Sequence, residues 1–111
     1  MFKVFYQSYC DYSQKTLSSI NKFKLKSELI QCDNNENFIN NEDSKHIPIH
    51  YTTYPKILFK TDKKILFIGG NEEFQKLLIL LDELKKDINF KIDSQKYIKK
   101  NETCYILTKI V

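Results

Sequence analysis

The chain has 111 residues with 18 basic against 14 acidic side chains, a net charge of +4, and this length fits one domain of the usual ~100–150 residues. Hydrophobic residues at 41% and aromatic residues at 14%, with only two Gly and two Pro, exclude a disordered or collagen-like chain and favour a packed core. No run reaches the ~18 apolar residues of a membrane span and the opening from Met1 to Ser8 lacks a signal peptide's apolar stretch, so a soluble cytoplasmic protein with no membrane partner is expected.

Taken in chain order, Phe2 to Tyr6 reads as a short strand, and Thr16, Leu17, Ile20 and Phe23 at helical spacing predict a helix from Tyr12 to about Phe23. Glu28 to Cys32 is the next strand. Asn34 to Lys45 is rich in Asn, Asp and Glu, which compete with helical hydrogen bonds, so a loop carrying a short, weak helix is expected there. Lys56 to Phe59 and Lys64 to Ile68 are apolar runs joined by a polar stretch of hairpin length. Gly69 and Gly70 break the second run. Asn71 can then cap a helix with Glu72 and Glu73 in its first turn. Phe74, Leu77, Leu78, Leu81, Leu84 and Ile88 line one face of that helix, which should pack on the sheet. Asn89 to Asp93 and Cys104 to Val111 read as two further strands. Strands alternating with helices and ending in a hairpin plus helix indicate an α/β domain with a mixed sheet.

Every basic residue is Lys, because the sequence holds no Arg, and Ala and Trp are also absent. Abundant Lys, Ile and Asn read as the imprint of AT-rich codons. A nucleic-acid partner is not expected, since Lys scattered among acids makes a poor footprint without Arg forks. Cys10, Cys32 and Cys104 cannot all pair within one chain, which argues against a secreted disulfide framework. Cys32 ends a buried strand and reads as core. His46 and His50 match no metal-ligand spacing with these cysteines, so no metal site is assigned. Cys10 stands where the first strand gives way to the first helix, and the positive end of a helix favours thiolate over thiol.

Gln7-Ser8-Tyr9-Cys10-Asp11-Tyr12-Ser13 resembles the active-site segment of the glutaredoxins, whose dithiol members read Lys-Thr-Tyr-Cys-Pro-Tyr-Cys. Thr53-Tyr54-Pro55 followed by a strand is similar to the family's Thr-Val-Pro with its cis proline. Ile68-Gly69-Gly70-Asn71-Glu72-Glu73-Phe74 is similar to its Gly-Gly-x-Asp-Asp-Leu. The resemblance implies a thioredoxin-like fold, a four-stranded mixed sheet flanked by helices, over residues 1–88, with 89–111 as a C-terminal extension packed on or near it.

The resemblance further implies that Cys10 is the nucleophile, with Tyr12 beside it and Ser13 in place of the second cysteine. Glutathione, the co-substrate, would meet the Tyr54 backbone before Pro55. Gly70, Asn71 and Glu72 would offer helix N-terminal amides to its γ-glutamyl carboxylate. Gln7 stands where the family carries the lysine that contacts the glycyl carboxylate, and Lys56 is a candidate replacement. Asp11 replaces the proline next to the nucleophile and disfavours a neighbouring thiolate. The implied activity is a monothiol oxidoreductase reducing glutathionylated or disulfide-containing proteins, as a monomer. Two alternatives stay open: a homodimeric [2Fe–2S] carrier with Cys10 as ligand, and a redox-inactive interaction module. Cys104 as a resolving thiol would require its Cα within ~7 Å of that of Cys10.

Overall fold

In the computed structural model of the protein, which describes residues 1–86, 105–107 and 109–110, the elements alternate as their patterns predict. They are β1 (Phe2–Tyr6), α1 (Asp11–Phe23), β2 (Ser27–Gln31), α2 (Glu36–Ile39), a 3₁₀ turn (Glu42–His46), β3 (Lys56–Lys60), β4 (Ile65–Gly69) and α3 (Asn71–Lys86). The four strands form one open mixed sheet in the order β2-β1-β3-β4. β1 and β2 run parallel, and β3 is antiparallel to both β1 and β4. This α/β arrangement of a mixed sheet flanked by helices is compatible with a thioredoxin-like fold. Among the described residues, no helix is long and apolar enough to cross a membrane.

Two compact units are distinguished, Met1–Phe74 and Gln75–Val111. In the first, strand alternation divides the side chains of β1 and β3 between two faces. Phe2, Val4, Ile57 and Phe59 share one face by register, all at most 3% exposed. Phe2 meets Phe59 and Phe74 edge to face at 5.1 and 5.2 Å, so the first turn of α3 is seated on this face. The opposite face carries Lys3, Phe5, Lys56, Leu58 and Lys60. Phe5 and Leu58 pack there with Cys32 and Ile47, and with the half-buried Phe38, Tyr51 and Tyr54. Polar residues enter this face too: Lys3 and Lys60 both donate to Asp43 Oδ2, at 2.7 and 2.5 Å, tying the 3₁₀ turn to the sheet.

In the second unit, Leu77, Leu78, Leu80 and Leu81 of α3 are buried, as are Ile106 and Leu107. Residues 105–107 and 109–110 are helical. That corrects the strand expected from Cys104 to Val111, whose apolar run was too short for periodicity to separate the two states. The strand expected at Asn89 to Asp93, the boundary at 88/89 and Cys104 lie outside the described residues.

Candidate thiol site

Cys10 ends the β1–α1 connection as the N-cap of α1, in an extended conformation (φ −95°, ψ 123°). Its amide donates to the Gln7 carbonyl at 3.2 Å, and its own carbonyl accepts from the Gln14 amide at 3.0 Å. The side chain is a free, half-buried thiol whose Sγ lies 3.6 Å from the Tyr54 carbonyl oxygen. The Tyr54-Pro55 peptide is cis, as the resemblance implies. The nucleophile candidate therefore faces main-chain atoms of the loop entering β3.

Side chains outside the Cys10 motif hold its loop in place. Asp33, just beyond β2, accepts from the Ser8 amide at 2.8 Å, the Ser8 hydroxyl at 2.7 Å and Gln31 Nε2 at 2.6 Å. The Ser8 amide, then Gln31 and the Ser8 hydroxyl, pull the Asp33 carboxyl below the usual range. Gln14 Nε2 donates to the Ser8 carbonyl at 2.9 Å. Ser13 is fully buried, and its Oγ accepts from the Gln7 amide at 3.2 Å, so this residue is part of the turn's frame. Tyr9 and Tyr12 flank the thiol at 69% and 61% exposure.

The start of α3 is joined to the same region. Thr16 of α1 donates to Asn71 Oδ1 at 3.0 Å. The Gly70 amide donates to Glu73 Oε2 at 3.1 Å, and the Gly70 carbonyl accepts from the Phe74 amide at 3.1 Å. Gly70, not Asn71, is thus the residue preceding the helix. Its amide, one of those expected to face a carboxylate ligand, is taken by Glu73; a residue three positions into the helix reaching back to the cap is a capping-box spacing that the sequence does contain. A Cβ at Gly70 would stand 2.5 Å from the Tyr51 hydroxyl, so a larger residue there would have to displace the end of that side chain. Glu72 is exposed.

Lys56, the candidate partner for a glycyl carboxylate, donates to main-chain carbonyls. It is 3% exposed, and its ammonium is held by the carbonyls of Tyr51 and Thr53. The strand-start position gave no sign of this. Burial raises the Tyr54 hydroxyl to about 12, with the negative forms of Cys32 and Tyr9 adding to the shift. Burial likewise pushes the Cys32 thiol up, in keeping with a core cysteine that is fully buried. His46 and His50 are exposed, and no group of potential metal ligands occurs among the described residues.

No protein-family model matches the chain, and comparison with curated proteins gave no significant match.

Proposed function

We propose that this protein is a glutathione-dependent thiol–disulfide oxidoreductase, a monothiol member of the glutaredoxin kind on a thioredoxin-like fold. One observation carries the reading: a free thiol at the N-terminus of a 13-residue helix stands 3.6 Å from the carbonyl of the residue preceding Pro55. The thiolate is the reactive form in disulfide exchange. In this reading the Tyr54 backbone before the cis Pro55 pairs with the extended cysteinyl residue of glutathione.

The reaction needs only one protein cysteine. Cys10 thiolate attacks the glutathionyl sulfur of a mixed disulfide; the new S–S bond joins Cys10 to glutathione, and the substrate thiolate leaves and is protonated by solvent. A second glutathione thiolate attacks the glutathionyl sulfur, releasing oxidised glutathione and restoring Cys10 thiolate. Burial of Ser13 supports this single-cysteine route, since its hydroxyl serves the Gln7 amide. Free Cys10 and Cys32 support work in a reducing compartment.

The test is glutathione-coupled reduction of a small glutathionyl mixed disulfide by protein purified without oxygen, with the visible spectrum recorded first. Colourless wild-type protein with turnover that drops to background in Cys10→Ser is the expected result. Colour that is lost with Cys10 assigns the cluster-carrier alternative instead, and neither colour nor turnover leaves the interaction module.

A further inference from the structure

Lys56 opens β3 opposite Phe5, on the sheet face that also holds Leu58. Its Nζ donates to the Tyr51 carbonyl at 2.9 Å and to the Thr53 carbonyl at 3.2 Å. Around it stand the rings of Tyr54, Phe38 and Tyr51, with centroids 4.4, 5.0 and 5.6 Å away. Among the described residues no carboxylate pairs with this ammonium. Burial lowers its pKa below the ordinary lysine value, partly opposed by Cys32. Among the described residues, carbonyl dipoles and ring faces are what surround this buried cation.

Those partners belong to separate pieces of chain. Phe38 sits in α2 and packs edge-on against Phe5 at 5.1 Å. Tyr51 does the same with Phe67 of β4 at 4.9 Å. The Tyr54 hydroxyl is bonded to Asn35 Oδ1. The ammonium therefore gathers α2 and the loop before Pro55 around one point. In the same loop, the Tyr54 carbonyl faces Cys10 Sγ at 3.6 Å.

We propose that Lys56 is a positioning residue for the Cys10 site: its ammonium, enclosed by Phe38, Tyr51 and Tyr54 and bonded to two loop carbonyls, sets the Tyr54 backbone against the thiol. This rests on the thiol–disulfide reading above, in which the substrate's cysteinyl backbone pairs with Tyr54. Loosening the loop then weakens substrate binding and leaves the sulfur chemistry intact.

Steady-state kinetics on a glutathionylated peptide test the proposal. Lys56→Met, which keeps the apolar stem and deletes the charge, raises KM about tenfold with kcat within about twofold of wild type. Phe38→Leu, which keeps the ammonium and removes one ring, raises KM about threefold. Phe59→Leu thins the opposite sheet face and serves as the control for a purely structural loss; it lowers Tm and leaves KM unchanged. Wild-type KM in either folded cage variant, or an equal rise in Phe59→Leu, overturns the positioning role. Should wild-type protein show no Cys10-dependent turnover, the glutathione reading itself fails. The positioning role is then read from iodoacetamide alkylation of Cys10, which is about threefold faster in Lys56→Met because the thiol loses its carbonyl acceptor; equal rates overturn it.

Discussion

The same sheet face buries a lysine at each end, and the two are stabilised in opposite ways. Lys3 and Lys56 are both 3% exposed. Lys3 donates to the buried Asp43 at 2.7 Å and lies 3.6 Å from Glu28, while Lys60 shares the same Asp43 oxygen. Lys56 has carbonyl oxygens and aromatic faces as its neighbours. Charge against charge closes the Lys3 end as a structural fastening between the sheet and the 3₁₀ turn. Charge against dipoles at the Lys56 end depends on a loop keeping its shape, and that loop is the one beside the thiol.

The largest expected effect tests the fastened end. Asp43→Asn leaves two ammonium groups around a neutral amide and costs about 3–5 kcal/mol in urea unfolding. A cost under ~1 kcal/mol would erase the distinction between the ends. Acid provides a second reading of the same site. Burial pushes the Asp43 carboxyl up, but the hydrogen bonds and charges of Lys3 and Lys60 outweigh it and hold the pKa below its ordinary value. The folded-state pKa is depressed, so this stabilisation is complete above pH ~4 and is lost as pH falls through the folded value. Tm measured from pH 5 to 2 should fall more steeply for wild type than for Asp43→Asn.

Next in size is Lys56→Met, at about 1–3 kcal/mol, because it removes the buried charge and orphans only two carbonyls. A cost above that of Asp43→Asn reverses the comparison. The smallest effect belongs to the opposite face, where Thr16 and Asn71 make a single neutral bond of 3.0 Å. Thr16→Val should cost about 1 kcal/mol, and a double-mutant cycle with Asn71→Ala should return a coupling of about 0.5–1.5 kcal/mol. No coupling would show that the α1–α3 junction is held by packing alone.

The elements were legible because local signals agree with the tertiary result: helical spacing in Thr16 and Ile20, paired apolar runs either side of Lys60 to Lys64, and Gly69-Gly70 before a run of leucines. Gly69 takes φ +126°, a conformation that suits glycine, so the strand ends where the sequence says it should. The site's polar contacts were less legible. Asp43 and Lys3 are 40 residues apart, and nothing local to either announces the pairing. Lys56 looks like a solvated strand-start charge until Phe38, Tyr51 and Tyr54 are brought around it. Ser13 reads as a catalytic position by alignment with a cysteine, yet its burial and its bond to Gln7 give it the work of a turn brace. The place of Cys10 at a strand-to-helix junction is legible in the sequence, and the structure has it as the N-cap of α1.

Asp33 stands outside the Cys10 motif, yet it holds Ser8 by both amide and hydroxyl. The aromatic side chains next in line, Tyr9 and Tyr12, project 69% and 61% exposed. Substitutions at this exposed rim would therefore leave the contacts of Asp33 with Ser8 in place. The loop that carries the thiol and the surface around it rest on different residues.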